Sequence, residues 1–303
     1  MTNFDRGLDN EFVKALNDEY NKEGSWWRNL VDDRELFIAI RNNYLNVYYR
    51  GGSVLKLNWL PSERKMIGEI HYKYLLKPSM PRKDQLIKIE DGRPILPPDP
   101  ECLFLDGLDD VGGLKNAVRC YTGAEKEGIH AFVFRDKNPD VVDLEIAIDD
   151  GKGRKQIDLA AIHDIDRSGS FKLVFYEVKH FGNKELRTKT GTIPVVDQMS
   201  RYSEAIAQNH DELVDSYRKV CGNLSELEGV VVQQDRKKWL RAISTGSVEL
   251  LIEDQPRLIV FGFDQDQRDG SIWGPHAKRL EDELTKERIL FVGNPKNIKL
   301  DGR

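Results

Sequence analysis

The chain has 303 residues, 32% of them charged, with a formal net charge of -5. No apolar run approaches the ~20 residues that span a bilayer, and the opening Met-Thr-Asn-Phe-Asp-Arg-Gly lacks the apolar stretch of a signal peptide. Cys102, Cys120 and Cys221 are odd in number and fit neither a disulfide framework nor a metal-cluster spacing, so the expectation is a water-soluble cytoplasmic protein with no membrane partner.

In chain order, residues 9–23 carry Phe12, Val13, Leu16 and Tyr20 at helical spacing, and Gly24-Ser25 ends that pattern. Trp26-Trp27 opens a short helix or turn. From Glu35 the period becomes strand-like: residues 36–40, 44–49 and 53–59 read as three strands, parted by Asn42-Asn43 and Gly51-Gly52, with 67–76 as a fourth. Residues 91–100 hold four prolines and cannot continue a helix or a central strand. They are the expected linker between a helix-plus-meander domain at 1–90 and a second domain at 101–303.

In the second domain the pattern predicts a helix over 113–127, strands over 141–148, 156–163 and 171–179, and one long helix over 195–220. Residues 226–244 are largely helical, 257–263 form a buried strand, 275–286 a helix and 288–292 a last strand. Meander strands followed by crossover-connected ones imply a mixed sheet flanked by helices, an α/β (α+β) architecture.

Charge is uneven along the chain. Between Arg34 and Lys88, eleven Lys/Arg face four acids, a net of +7, interleaved with Phe37, Tyr44, Tyr48, Tyr49, Trp59, Tyr72 and Tyr74. Such a segment suits either a nucleic-acid or partner surface, with cations on phosphates and rings on bases, or a small sheet with an aromatic core and a solvated basic face.

The chemistry concentrates further on. Phe171 to Lys179 is an apolar strand ending in Glu177-Val178-Lys179, and Asp158 lies one hairpin upstream in Gln156-Ile157-Asp158-Leu159. Residues two apart on a strand share a face, so Glu177 and Lys179 point the same way, along with Phe171, Leu173 and Phe175. Two convergent carboxylates repel unless a cation lies between them, and Mg²⁺ or Mn²⁺ suits such oxygen ligands. A metal there would activate water, and Lys179 would orient or deprotonate it. Glu63-x-Lys65, Asp150-x-Lys152 and Asp235-x-Lys237 share the spacing but not the apolar strand before it. Gln198 and Tyr202, spaced i,i+4, share one face of the next helix.

On Asp158, Glu177, Lys179, Gln198 and Tyr202, and on the order of elements over 113–293, the chain resembles the PD-(D/E)xK nuclease superfamily. The branch it resembles carries a Gln-x-x-x-Tyr motif, as in RecB-type exonuclease domains. The resemblance implies a restriction-endonuclease-like core and Mg²⁺- or Mn²⁺-dependent hydrolysis of phosphodiester bonds, in DNA rather than RNA. Asp158 and Glu177 would bind the metal with the Val178 carbonyl, Lys179 would be catalytic, and Gln198 and Tyr202 would position the strand. The family often adds a group from the preceding helix; Glu125, Glu127 and His130 are the candidates, Glu127 the preferred one, with Glu145 outside that helix. The family's Pro-Asp occurs only as Pro139-Asp140, upstream in a loop-like setting, and Ile157-Asp158 takes its place. No iron–sulfur cluster is expected, and His163, His180 and His210 lack metal spacing.

The implied roles are defence, restriction or repair in a prokaryote. The rival reading is a non-catalytic nuclease fold that binds nucleic acid or protein. A nucleotide-binding domain over 257–292 would need a phosphate-binding glycine loop that the sequence lacks. Oligomeric state and protein partners are left open.

Overall fold

The computed structural model describes residues 4–75, 86–95, 107–133, 136–149, 153–165 and 169–300. Within them the chain is a mixed α/β protein with two sheets and nine α-helices. No helix among the described residues is long and apolar enough to cross a membrane.

The chain divides into two compact units, one of Asp5–Gly123 with Ser216–Ser247, the other of Met1–Phe4, Ala124–Asp215 and Val248–Arg303. These extents differ from the 1–90, 91–100 and 101–303 segments expected from the proline-rich stretch. The reason is partly local. Asp91 (φ 47°) and Gly92 (φ 75°) form a two-residue hairpin turn that pairs Glu90 with Arg93 and Ile89 with Pro94. The first sheet therefore runs into the supposed linker, of which 96–100 lie outside the described residues.

In the first unit, α1 (Asn10–Tyr20) and α2 (Trp26–Asp32) precede a six-stranded antiparallel meander. Its strands run in order β1 (Phe37–Ile40), β2 (Tyr44–Tyr49), β3 (Gly52–Leu60), β4 (Lys65–His71), β5 (Leu86–Glu90) and β6 (Arg93–Pro94). Arg50 (φ 47°) and Gly51 (φ 66°) close the β2–β3 hairpin. Helix α3 (Val111–Arg119) belongs to this unit, with the Lys115 ammonium 2.8 Å from Asp33 and Arg119 donating to the Tyr49 hydroxyl at 3.1 Å. So does the 216–247 segment: the buried Asn223 side chain accepts from Leu8 N at 2.8 Å and donates to Leu8 O at 3.2 Å.

The second unit holds the mixed sheet. Its strands are β7 (Val141–Asp149), β8 (Arg154–Asp164), β9 (Phe171–His180), β10 (Leu250–Ile252), β11 (Arg257–Phe261) and β12 (Ile289–Val292). The order is β12-β11-β9-β8-β7, with β10 pairing the start of β9. The β7–β8 and β8–β9 pairs are antiparallel; β9–β11, β9–β10 and β11–β12 are parallel. Helix α4 (Ala124–His130) lies close against β11. A Cβ on Gly128 would come within 2.0 Å of the Phe261 ring, so only glycine allows that approach. Helices α5 (Pro194–Gln208) and α9 (Gly274–Leu284) bury Val195, Met199, Leu280 and Leu284 against Leu258 and Val260 of β11. At about 25 cal/mol per Å² of apolar area, such side chains contribute roughly 1.5–3 kcal/mol each.

Two helices expected as single elements are broken. The 113–127 helix is α3 and α4, interrupted at Cys120–Gly123, where the Thr122 hydroxyl donates to Arg119 O at 3.2 Å. The long 195–220 helix is α5 and α6 (His210–Glu226). Asn209 parts them: its backbone N–H and its side-chain amide both take Ala205 O, the latter at 2.8 Å, and the side chain also donates to Asp149 O at 3.1 Å. A polar side chain that competes for a helix carbonyl ends the ladder. The stretch read as helical from 226 becomes helix only at α7 (Gln234–Ser244), and α8 (Gln265–Asp269) is a short addition.

Candidate functional site

The site begins where β8 and β9 part. Their ladder ends at the pair Leu159 and Tyr176, and the next residue on each strand is Asp158 and Glu177. On its other edge β9 pairs with β11, Leu258 opposite Glu177 and Val260 opposite Lys179. The Asp158 carboxylate takes the backbone N–H of Val178 at 2.7 Å. A side chain thus satisfies a donor that the diverging strand no longer meets.

Glu177 is 2% exposed, and its two oxygens differ. Oε1 accepts from Lys179 Nζ at 2.8 Å and from Gln198 Nε2 at 3.1 Å. Oε2 is buried and has no hydrogen-bond partner among the described residues. An unmade hydrogen bond on a buried charged atom costs roughly 1–3 kcal/mol or more. Gln198 also donates to the Tyr202 hydroxyl at 2.5 Å, and that hydroxyl donates to Gln156 O at 2.5 Å. The i,i+4 pair on α5 therefore ties the helix both to Glu177 and to β8.

Lys179 is held from two sides. Besides Glu177, its ammonium lies 2.7 Å from an oxygen of Glu185. Glu185 stands in a 3-10 turn, Lys184–Leu186, capped by Asn183, whose side chain accepts from Glu185 N at 2.9 Å. Asn183 in turn donates to Glu125 of α4 at 2.6 Å, and the same Glu125 oxygen accepts from His180 N at 3.1 Å. A run of contacts from α4 thus fixes the turn that carries Glu185.

The electrostatics follow from this crowding. Burial, then the neighbouring charge of Glu177, push the Asp158 carboxyl well above the ordinary carboxylate range, against the Val178 amide and Lys179. Burial likewise raises Glu177, although Lys179 pulls the other way. For Lys179 burial alone would lower the pKa, but the two carboxylates outweigh it and the net shift is upward. Burial and the Glu177 charge raise the Tyr202 phenol.

Glu177, Lys179, Gln198 and Tyr202 thus form one hydrogen-bonded group, with Asp158 at the strand position beside it. Glu127 is exposed on α4, and it is Glu125 of that helix that hydrogen-bonds at the end of β9. His130 is buried. His180 packs edge-on to Phe261, ring centroids 5.5 Å apart. His163 is buried with Nε2 2.9 Å from the Tyr176 hydroxyl and Nδ1 3.5 Å from Asp140, which gives Asp140 a partner away from Glu177. His210 is exposed beside Asp211.

Sequence did not single out Glu185, and it offered Glu145 only as a candidate outside the preceding helix. Glu185 lies in a loop with no periodicity to mark it. Glu145 has φ 53° in mid-strand and its side chain accepts from Gln156, beside Asp158. Of the other Glu/Asp-x-Lys pairs, Glu63 and Lys65 form an exposed ion pair at 2.8 Å and Asp235 pairs with Lys238; Asp150-x-Lys152 lies outside the described residues.

Among the described residues no three His, Cys, Asp or Glu side chains are gathered as a metal cage. The donor set at β8–β9 is instead two carboxylates, one with a buried unpartnered oxygen. That composition suits a hard cation which keeps waters and takes a substrate phosphate, rather than a closed zinc-type site. Beside it opens a groove of about 360 Å³ lined by Lys155, Gln156, Glu185, Gln198, Arg201 and Tyr202 among others. Comparison of the chain with known protein families, with curated proteins and with solved structures finds no match.

Proposed function

We propose that the protein is a Mg²⁺- or Mn²⁺-dependent nuclease with a restriction-endonuclease-like core, acting on DNA as its first-choice substrate. The observation that carries this reading is the buried Glu177, bonded through one oxygen to Lys179 and Gln198 and left without a partner on the other, beside Asp158. The cysteines in view, exposed Cys120 and buried Cys221, are both free, which fits a reducing cytoplasm.

Asp158 and Glu177 would hold the cation, with the carbonyl of Val178, whose N–H Asp158 accepts, as a further ligand. Bound there, a metal would supply charge neutralisation at a phosphoryl oxygen and a water of lowered pKa. Lys179, paired on both sides, serves as a positive donor toward charge that develops on the phosphate. Gln198 and Tyr202 set the position of Glu177 and form part of the groove wall along which a strand would lie.

The test is cleavage of circular and linear, single- and double-stranded DNA and RNA with Mg²⁺, Mn²⁺ or EDTA. Replacing Asp158, Glu177 or Lys179 by alanine is expected to lower metal-dependent cleavage by about 10³-fold, with circular dichroism unchanged. Full activity in the folded Lys179→Ala variant would sink the assignment. A protein that takes up no Mn²⁺ in calorimetry, even with DNA present, would favour a non-catalytic binding module.

A further inference from the structure

A cluster of lysines on the mixed-sheet unit forms no ion pair among the described residues. Asn138 is 4% exposed and every polar atom of its side chain is used. Its amide donates to Phe132 O at 2.7 Å and to Ile298 O at 3.1 Å, and its oxygen accepts from Leu300 N at 2.8 Å. This buried clamp holds segment 298–300 against the loop at 136–140. Lys137 precedes the clamping residue and Lys299 stands between the two clamped ones. Lys296 lies in the adjoining 3-10 turn, Pro295–Asn297.

The clamp sets Lys137 and Lys299 on neighbouring segments, with Lys296 in the adjoining turn; burial, then the Lys296 and Lys299 charges, lower the pKa of Lys137. None of the three forms an ion pair among the described residues, and the nearby Asp136 is exposed. Lys299 also lines a cavity of about 230 Å³ with Arg257, Lys286 and Arg288. Arg288 is held there by Pro256 O at 3.1 and 3.3 Å, and Arg257 by Glu253 at 3.2 Å; Glu287 is the one acid in the cavity wall. Tyr176, in that wall, points to the face of β9 opposite Glu177 by strand alternation. The cluster is therefore not part of the carboxylate site.

Like charges on segments held together by a buried amide repel one another, and a bound anion would relieve that repulsion. Lysine is a point-charge phosphate ligand, tolerant of geometry. We propose that Lys137, Lys296 and Lys299, with the adjoining cavity, form a binding surface for the phosphodiester backbone of a nucleic-acid strand. The choice of a strand as the source of the phosphates rests on the nuclease reading; the anion site itself does not.

The experiment is fluorescence anisotropy of a labelled DNA duplex across a salt series in EDTA, so that cleavage plays no part. The Lys137→Gln, Lys296→Gln, Lys299→Gln triple variant is expected to bind about tenfold more weakly or worse, with a salt slope shallower by roughly 2–3. Its melting temperature should equal or exceed the parent's, since repulsion is removed. Unchanged affinity and slope would overturn the proposal. Calorimetry with inorganic pyrophosphate separates the sources: heat lost in the variant while DNA affinity stays at the parental value overturns the strand and leaves a small-anion pocket. Absence of metal-dependent cleavage in the parent protein, with its lysine-dependent duplex binding intact, would count against the catalytic reading alone.

Discussion

The two sheets dispose of their charges in opposite ways. In the meander, several of the basic and aromatic residues that stood out in sequence meet one another, although the buried Trp59 Nε1 makes no hydrogen bond among the described residues. Arg41 is 3% exposed, lies over the Tyr48 ring and donates to Ile40 O at 3.1 Å and the Tyr48 hydroxyl at 3.3 Å. Lys56 sits 5.0 Å from the centre of the Tyr44 ring and pairs with Glu69, and Trp59 stacks on Phe12. In the mixed sheet, a buried carboxylate keeps one oxygen without a hydrogen-bond partner, and the lysines near Asn138 form no ion pair, among the described residues. Charge density in sequence marked the first region; unneutralised charge in space marks the second. The second is the better sign of a ligand, because a fold gains nothing from it alone.

The sharpest way to break this contrast is to remove the unneutralised charge. Asp158→Asn keeps an acceptor for Val178 N, so it should abolish metal-dependent cleavage, a fall of about 10³-fold, yet raise the melting temperature by about 2 °C or more. The pH dependence has a definite sign. Asp158 and Glu177 both have folded-state pKa values raised by burial, so the folded state holds their protons more tightly than the unfolded one. Their contribution is most favourable below the ordinary carboxylate range and is lost as pH rises through it toward the raised values. Metal-free melting temperature should therefore fall over that window in the parent and fall less in Asp158→Asn. Added Mn²⁺ should raise it at pH 8 in the parent only. Equal Mn²⁺ stabilisation of both proteins would remove the carboxylates as its ligands.

In the meander the expected effects are on stability. Arg41→Ala removes a buried, bonded and stacked cation and should cost about 2 kcal/mol, measured by urea unfolding, with cleavage per folded molecule unchanged. Smallest of all, Lys56→Gln loses a partly exposed ion pair and a ring contact, a change of about 1 kcal/mol or less. Duplex affinity within twofold of the parent's would accompany it. A tenfold loss of affinity would make the meander a nucleic-acid surface after all and erase the contrast between the sheets.

Much of this was legible in sequence because it is local. Strand alternation places Glu177 and Lys179 on one face, the i,i+4 spacing places Gln198 and Tyr202 on another, and glycine and asparagine turns mark the first three hairpin strands. The Asp91-Gly92 turn carried the same signal for β5–β6, but the prolines beside it argued for a linker. Asn209 looked like one more helical residue, since nothing nearby announces that Asp149 O waits to receive its side chain.

Sequence alone determined many of the strands and the faces of the residues that carry chemistry, because periodicities of two and 3.6 residues are set by neighbours along the chain. Only the tertiary structure decided what those faces meet. The parting of β8 from β9 leaves Glu177 an oxygen without a partner, a capped turn brings Glu185 to Lys179, and one buried asparagine joins lysines about 160 positions apart. These juxtapositions depend on strand order and on clamps between distant segments, which no local pattern encodes.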